Sequence, residues 1–250
     1  MHPTLFKVGP FVIHTYGVFV ALGFLLGLSL FLYAARKKNL EEGKILSLSL
    51  WVVASGIIGA RIFYILDQLD WYLEHPQDIL KVWQGGLVFY GGLLFSLIVA
   101  LYFTHRHRLS FWEIADISAP PLALGISIGR IGCFFNGCCY GKPWKWGLIF
   151  SPDSPAGRVS ANQPLFPTQL ISSANLLIIF FILVILRRRK DFTQHIFLWF
   201  LVLYSAHRFV IEFIRADYPK VLLHLTIPQF MSVILGISSL MLMISKRRDG

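Results

Sequence analysis

Residues 16–35 read YGVFVALGFLLGLSLFLYAA, an uncharged stretch that decides the class of fold. A helix of about 20 apolar residues crosses a hydrocarbon layer about 30 Å thick. Arg36, Lys37 and Lys38 follow the stretch at once, whereas a cleavable signal peptide carries its positive charge before the apolar region. These residues therefore predict a transmembrane helix that stays in the mature protein.

The composition extends this prediction to the whole chain. Of the 250 residues, 56% are hydrophobic and 14% are charged, whereas soluble domains have about 45–50% and about 25%. Further apolar runs recur along the chain, and they lack the alternating polarity of a membrane β-barrel. The sequence thus predicts an all-α, polytopic membrane helical bundle that forms a single domain over residues 1–250. Seven transmembrane helices are expected, at about residues 16–35, 45–66, 87–103, 111–134, 168–186, 196–214 and 226–244.

The positions of the basic residues predict the orientation. Thirteen of the 23 Lys and Arg residues fall in four groups on one side of a seven-helix bundle, against six on the other side. Because cytoplasmic loops collect Lys and Arg, the N-terminus is expected outside and the C-terminus in the cytoplasm. The net charge of +10 does not indicate a nucleic-acid partner, because no separate basic domain holds it. Anionic membrane lipids are the expected counter-charge. The four groups are residues 36–44, 106–108, 187–190 and 246–248.

Charged side chains within the apolar runs are the first candidates for function. Arg61, Arg130, Arg208 and Glu212 lie in or at the ends of predicted spans. A charge at the centre of a span costs about 2.5–3.5 kcal/mol on insertion scales. Such residues therefore face the interior of the bundle or a water-filled cavity.

The sixth predicted span has a polar face. Arg208 and Glu212 are four residues apart, and Tyr204 and Arg215 extend the series along one side of the helix. The Arg208–Glu212 pair is open to two interpretations, a buried structural ion pair or part of a functional cavity. The further arginines of the second and fourth spans favour a cavity that binds an anion, and a phospholipid phosphate is the anion at hand.

A glycine-rich segment ends the fourth predicted span. Residues 129–142 read GRIGCFFNGCCYGK, with four glycines and three cysteines. Irregular backbone at membrane depth is tolerated only inside protein or beside a watery cavity. Glycines also let backbone N–H groups approach a ligand closely. The segment is therefore expected to form part of a binding cavity.

Cys133, Cys138 and Cys139 leave three interpretations open. Zinc is disfavoured, because neither a CxxC pair nor a His at ligand spacing accompanies them. A disulfide on an oxidising face is the second interpretation. The third, which the sequence favours, is that they are small packing residues.

Taken together, these motifs give the chain a resemblance to the prolipoprotein diacylglyceryl transferases over all seven predicted spans. The glycine-arginine signature and the Arg-x-x-x-Glu-x-x-Arg helix are its most specific parts. The matching segments are Tyr16-Gly17, Gly59-Ala-Arg61 with Tyr64, QGGLVFYGG at residues 84–92, Gly129-Arg130 through Asn136 and Gly141, PTQL at residues 167–170, and RFVIEFIR at residues 208–215.

The resemblance implies a function at the bacterial inner membrane. Family members transfer the sn-1,2-diacylglyceryl group of phosphatidylglycerol to the lipobox cysteine of a preprolipoprotein, forming a thioether and releasing glycerol phosphate. It implies no metal and no cofactor. Arg130 and Arg208 would hold the phosphate, and Glu212 would orient Arg208. The catalytic residues carried over are Arg130, Arg208, Glu212, Tyr90 and Tyr16, and the residues carried over for phosphatidylglycerol binding are Arg130, Arg61, Asn136, Gly141 and Arg215.

The chain departs from the family pattern at four positions. Tyr90 and Phe166 stand where many members have His, Cys133 where many have Asn, and Cys138 where many have Glu. A phenol, with a pKa of about 10, is a poorer base than imidazole at neutral pH, so the acceptor of the thiol proton stays open. Two alternatives remain: a divergent paralogue that uses another acceptor, and a non-enzymatic carrier of an anionic lipid or solute.

Overall fold

The computed structural model describes residues 4–8, 11–81, 85–160, 162–188, 195–217 and 225–248. Over these residues the protein is all-α, with 74% of them helical, in nine α-helices and one 3-10 helix (Pro76–Leu80). The helices are α1 (Thr15–Arg36), α2 (Glu42–Asp67), α3 (Leu69–Glu74), α4 (Phe89–Arg106), α5 (Phe111–Asn136), α6 (Pro155–Val159), α7 (Thr168–Leu186), α8 (Ile196–Glu212) and α9 (Ile227–Arg248). The strands are β1 (Thr4–Val8), β2 (Phe11–His14) and β3 (Pro143–Leu148).

Each of the seven predicted spans coincides with one α-helix, and the ends differ by no more than four residues. Within the described residues, α1, α2, α5, α7 and α9 are long and apolar enough to cross a membrane. The other two predicted spans are α4, whose last turn carries His105 and Arg106, and α8, which has 17 residues. The multi-pass, all-α prediction is confirmed, whereas the count of seven and the orientation stay predictions.

The chain divides into two compact units. The larger comprises Met1–Phe31 and Ala115–Gly250, and the smaller comprises Leu32–Ile114. The expected single domain over residues 1–250 stays a prediction.

The larger unit is built around α5, α7 and α8, whose apolar side chains form one buried cluster. Leu176 and Leu183 of α7 are fully buried in it. Ser127 and Ser173 exchange hydrogen bonds between α5 and α7, each hydroxyl donating to the other residue's carbonyl at 2.8 and 2.9 Å. Such small polar pairs hold helices together where water is absent. The helix that carries Arg130 is thereby fixed against its neighbours.

Glycines set the helix crossings in both units. In the larger unit, a Cβ on Gly23 of α1 would lie 2.7 Å from the carbonyl oxygen of Gly125 in α5. In the smaller unit, a Cβ on Gly59 of α2 would lie 2.6 Å from the carbonyl oxygen of Gly91 in α4. Close backbone approach through small residues is typical of membrane helix pairs. The second Gly-Gly pair of the QGGLVFYGG motif, which begins at Gly91, therefore serves the packing of α2 on α4.

The polar stretch between α5 and α7 folds, although the sequence predicts no elements within it. Residues 143–148 form β3, which bridges back to Leu165. Ser154 caps α6 by accepting a hydrogen bond from the Gly157 N–H at 3.1 Å. A small core lies beneath these elements, made of Tyr140, Phe150, Ala156 and Leu165. The glycine-rich segment is thus followed by an ordered cap.

Candidate active site

The glycine-rich segment turns sharply after α5 ends at Asn136. Gly137 has a φ of +73°, which glycine adopts at no steric cost. The N–H groups of Gly137 and Cys138 both donate to the carbonyl of Cys133, at 3.0 and 3.2 Å. Cys139 has a φ of +60°, which is uncommon for a residue with a side chain. The segment therefore forms a tight turn with a strained residue at its end.

The first turn of α7 holds this conformation. The Thr168 hydroxyl donates to the carbonyl of Cys139 at 2.6 Å, and the Gln169 amide donates to the carbonyl of Cys138 at 2.7 Å. Both side chains are buried. The Pro-Thr-Gln motif thus positions the cysteine turn, a role that the sequence alone does not reveal.

The turn brings the three thiols together. The Sγ atoms of Cys133, Cys138 and Cys139 all lie within 4.8 Å of one another, and all three thiols are free. Asn136 is a hydrogen-bond partner of Cys138. Hydrogen bonds from the other two thiols lower the pKa of Cys139, and the positive charge of the Arg215 guanidinium lowers it further. The turn therefore gathers three thiols at one point, with the charge of Arg215 acting on Cys139.

The carboxylate of Glu212 organises the arginines of α8. Arg208 Nη1 lies 3.0 Å from Glu212 Oε2, and Arg215 Nε lies 3.7 Å from the same oxygen. Thr226 donates a hydrogen bond to Oε1 at 3.1 Å. The Glu212 side chain is fully buried. The ion pair predicted from the four-residue spacing is confirmed, and the carboxylate holds two guanidinium groups.

Arg215 lies outside the helix, so the prediction of one continuous helical face through Arg215 is wrong. α8 ends at Glu212, and Arg215 forms an isolated β-bridge with Gly141. Its guanidinium donates twice to Asp217, at 2.9 and 2.6 Å. Burial lowers the pKa of Arg215, but the bond to Asp217 outweighs it, so the pKa lies above its usual value. Sequence reasoning missed Asp217, whose one signal is its place two residues after an arginine.

Gly141 ties the cysteine turn to this ion cluster. Its N–H donates to the carbonyl of Phe166 at 3.1 Å, and an added Cβ would lie 2.7 Å from that oxygen. The bridge to Arg215 lies on the same short segment. The structure gives this glycine a packing role, and its predicted contact with phosphatidylglycerol stays a prediction.

Arg130 and Tyr16 belong to the same unit as the turn and the ion cluster. The Arg130 guanidinium interacts electrostatically with Cys133, Cys139, Tyr204 and Arg215. The electrostatic neighbours of Tyr16 are the three cysteines and Arg130. His207, to which the sequence gives no assigned role, has Arg130 and Arg208 as neighbours. The larger unit therefore gathers seven of the predicted site residues: Tyr16, Arg130, Asn136, Gly141, Arg208, Glu212 and Arg215.

Arg61 and Tyr90 belong to the smaller unit. Tyr90 is the second residue of α4 and is partly exposed. Arg61 is buried in α2 and donates hydrogen bonds to four backbone carbonyls. It also lies beside the rings of Tyr64 and Tyr72 and lines a cavity of about 310 Å³. The four acceptors are Asp78 at 2.6 Å, Ile79 at 3.0 Å, Gly85 at 2.8 Å and Gly86 at 3.2 Å.

These contacts show what Arg61 does within its unit. Gly85 and Gly86 have φ values of +93° and +75°, and the guanidinium fixes their carbonyls. Arg61 therefore organises the loop before α4, and its predicted contact with phosphatidylglycerol stays a prediction. Gln84 of the same motif lies outside the described residues.

Comparison with known proteins agrees with these motifs. The chain matches the family described as prolipoprotein diacylglyceryl transferase over residues 3–245. The chain belongs to this family. The resemblance seen in the signature segments is thus confirmed along nearly the whole chain.

Relatives with the same name occur in distant bacteria. Each is named phosphatidylglycerol–prolipoprotein diacylglyceryl transferase. The relative from Bacillus velezensis is 33% identical over 258 residues, covering 100% of this chain and 94% of its own. The relative from Limosilactobacillus reuteri is 34% identical, covering 99% and 92%. The relative from Acaryochloris marina is 36% identical, covering 86% and 80%.

Proposed function

We propose that this protein transfers the sn-1,2-diacylglyceryl group of phosphatidylglycerol to the lipobox cysteine of a preprolipoprotein, the first step of lipoprotein maturation. The observation that carries the proposal is the buried Glu212, which holds Arg208 and Arg215 in the unit that also contains Arg130. Membership of the transferase family supports the same reaction.

The charges of this cluster fit a phosphodiester. Among the described residues of the cluster, Glu212 and Asp217 pair with Arg208 and Arg215, and Arg130 is an electrostatic neighbour of Arg215. One positive charge is therefore left to balance the single negative charge of a phosphatidylglycerol phosphate. Guanidinium groups suit this anion because they donate two parallel hydrogen bonds to its oxygens.

The reaction needs this charge most at its transition state. The sulfur of the substrate attacks the glyceryl carbon that carries the phosphate, and a C–S bond forms as the C–O bond breaks. The electron pair of the broken bond leaves on the phosphate oxygen of glycerol phosphate, and the thiol proton goes to a base or to water. Donors already positioned by Glu212 stabilise that developing charge without reorganising. Arg130 and Arg208 are assigned this role, and Glu212 positions Arg208.

The remaining assignments are proposals of the same kind. Tyr16, beside Arg130 and the cysteines, is suited to hydrogen-bond the reacting groups. Tyr90 is assigned a catalytic role. Arg61, Asn136, Gly141 and Arg215 are assigned to phosphatidylglycerol binding by the family resemblance. No metal or cofactor enters this minimal scheme.

The direct test is transfer by the purified protein in detergent, from labelled phosphatidylglycerol to a synthetic lipobox peptide. Arg130→Ala and Arg208→Ala are expected to abolish thioether formation while the protein still inserts and folds. Arg130→Lys is also expected to be poor, because an ammonium group lacks the planar fork. Arg106→Ala, which removes an exposed arginine at the end of α4, is the matched control. Near-normal transfer by Arg130→Ala would overturn the phosphate-holding role.

Growth of a transferase-depleted bacterium separates this proposal from its alternatives. An active enzyme restores lipoprotein maturation. A carrier of an anionic lipid, or a paralogue that modifies another acceptor, leaves the depleted strain unrescued. Failure to rescue, together with an inactive purified protein, would overturn the proposed function.

We also propose that the chain spans the bacterial inner membrane seven times, with its N-terminus outside. The support is the division of Lys and Arg residues, thirteen on one side and six on the other. A phosphatase reporter placed within residues 142–166 is expected to be active, and one after Arg248 inactive. The opposite pattern would reverse the orientation.

A further inference from the structure

The three cysteines form a cluster that the minimal reaction scheme does not use. Their Sγ atoms lie within 4.8 Å of one another, with Cys133 buried and the other two half-buried. A zinc ion with sulfur ligands at about 2.3 Å separates those sulfurs by about 3.8 Å. Small side-chain rotations are therefore enough to bring all three sulfurs onto one ion.

The backbone of the turn is built to hold this arrangement. Side chains of adjacent residues ordinarily point apart, but the left-handed conformation of Cys139, with φ at +60°, lets its Sγ join that of Cys138. Residues held in such conformations are over-determined by their surroundings and cluster at functional sites. Here Thr168 and Gln169 provide that support through the two cysteine carbonyls. Simple packing of small side chains does not require a strained cysteine.

A second observation points to a ligand at the turn. Gln169 is 1% exposed, and its Nε2 donates to the carbonyl of Cys138. Among the described residues, its Oε1 has no hydrogen-bond partner. A buried amide oxygen without a partner costs free energy, so it is suited to accept a hydrogen bond from an incoming group. A backbone N–H of a bound peptide has the required chemistry.

We propose that Cys133, Cys138 and Cys139 bind one zinc ion whose fourth position receives the thiol of the incoming prolipoprotein. This inference rests on the proposed function and adds the means by which the nucleophile is activated. Zinc sites that act on substrates keep three protein ligands and an open position, which is the number of ligands the turn supplies.

Zinc would convert the weakly acidic thiol of the substrate into the nucleophilic thiolate. A free thiol has a pKa of about 8.5 and is mostly protonated at neutral pH. On binding zinc the substrate thiol releases its proton to solvent and becomes a thiolate. The bound sulfur then forms its bond to the glyceryl carbon as glycerol phosphate departs. The thioether product is a weaker ligand than a thiolate, so exchange for the next substrate thiol follows.

The surrounding charges suit such a centre. Zinc with three thiolates carries one negative charge, and a substrate thiolate adds another. Arg130 and Arg215 both interact electrostatically with Cys139, so positive charge lies beside the sulfurs and offsets part of this negative charge. The same Arg130 is assigned to the phosphate of the lipid. Nucleophile and leaving group are thus held by neighbouring groups in one unit.

The sequence alone favours the opposite interpretation. The C-x4-C-C spacing lacks the separation typical of zinc sites, and only the left-handed turn at Cys139 closes it. If the cysteines are only packing residues, a variant with all three changed to serine is expected to keep more than about a tenth of the transfer rate of the parent protein. The zinc centre predicts that this variant keeps its fold and loses transfer.

Metal content is the first measurement and is independent of activity. The full chain, purified in detergent from zinc-supplemented cells, is expected to contain about one zinc per chain. Replacement by Co²⁺ is expected to give thiolate-to-cobalt charge-transfer absorption. Cys133→Ser, Cys138→Ser and Cys139→Ser are each expected to lower zinc content at least about tenfold. Ser118→Ala on α5, whose hydroxyl donates to the carbonyl of Ala115 in the same helix, is the control and is expected to keep the zinc. Should the serine variants fail to fold, Cys138→His keeps a ligand at that position and is expected to retain metal with an altered cobalt spectrum.

The open position is tested with substrate. Adding a lipobox peptide to the Co²⁺ protein is expected to change the charge-transfer absorption, whereas the same peptide with serine for cysteine is expected to leave it unchanged. Full transfer by a protein without zinc, or a disulfide between two of the cysteines in the active protein, would overturn the zinc centre while leaving the proposed function intact. Stoichiometric zinc without any transfer would preserve the metal site, overturn the activation of a substrate thiol and contradict the proposed function.

Discussion

Two arginines of the predicted spans, the buried Arg61 and the half-buried Arg208, have very different surroundings. Arg61 donates to four backbone carbonyls, two in the 3-10 helix Pro76–Leu80 and two at Gly85 and Gly86. Arg208 pairs with Glu212, a carboxylate that also holds Arg215. Four carbonyl dipoles fix the direction of the Arg61 guanidinium. Two guanidinium groups that share one carboxylate, in contrast, leave a net positive charge around Arg208. Arg61 is thus placed to hold backbone, and Arg208 is placed to meet an anion.

The comparison also shows why a buried charge does not by itself identify a binding residue. Both arginines lie in helices that are predicted spans, where a charge is costly unless it is paired or hydrogen-bonded. What distinguishes them is the identity of the acceptors, which depends on the tertiary fold. Substitutions at the two sites should therefore separate loss of fold from loss of chemistry.

The largest effect is expected from Glu212→Ala. It leaves two guanidinium groups without their shared carboxylate, and breaking a buried pair in this way costs about 3–5 kcal/mol. Thermal unfolding in detergent measures the loss, and transfer should vanish with it. Asp217→Asn is the matched control, because its carboxylate is partly exposed and the change should cost less. Equal stability of Glu212→Ala and the parent would show that the cluster does not support the fold.

Next in size is the effect of Arg208→Lys on the rate. The ammonium group preserves the charge beside Glu212, so the unfolding temperature should change little. Loss of the two-pronged donor should lower kcat by about 10²–10³-fold, the usual consequence of removing one transition-state donor. Steady-state kinetics with labelled phosphatidylglycerol measures it. A rise in KM at unchanged kcat would mean that Arg208 binds the ground state alone.

Arg61→Lys should have the reverse pattern. An ammonium group offers fewer directed donors than the four bonds now made, so at least one buried carbonyl loses its partner. The expected loss is about 1–3 kcal/mol, seen as faster proteolysis at residues 76–81 and 85–88. Arg36→Lys, which changes an exposed arginine, is the control. An intact loop combined with abolished transfer would restore the predicted contact of Arg61 with phosphatidylglycerol.

The sequence predicts the scaffold well because apolar length depends on local composition. Each predicted span lies on a helix, and the Arg208–Glu212 pair follows from a four-residue spacing along one of them. The family resemblance also assigns the reacting groups to segments of the chain, and these assignments stay predictions. These features need no knowledge of the tertiary fold.

What the sequence misses depends on contacts between distant segments. Arg215 leaves the helix because its backbone pairs with Gly141, which lies 74 positions earlier in the chain. The acceptors of Arg61 lie 17 to 25 positions away in the chain. The convergence of the three thiols requires a left-handed cysteine, which no pattern of residue types predicts. Each is a tertiary property.

The smallest expected effect is a loss of stability at low pH in the region whose carbonyls accept hydrogen bonds from Arg61. Lys81 donates a hydrogen bond to the Asp78 carboxylate, and this bond lowers the pKa of Asp78. A carboxyl with a lowered folded-state pKa adds stability above its unfolded value of about 3.9, and that stability is lost as the pH falls through the folded pKa.

Protection of residues 76–81 and 85–88 from an acid-active protease should therefore be constant from neutral pH to about pH 4 and fall below it. Asp78→Asn should remove this acid-dependent part, because the amide does not titrate. The carbonyl of Asp78 should still accept the bond from Arg61, so the neutral-pH protection should remain. Asp70→Asn, an exposed acid of α3, is the control. If Asp78→Asn opened the loop at neutral pH as much as Arg61→Lys does, the carboxylate and not the arginine would hold this region, and the contrast between the two arginines would fail.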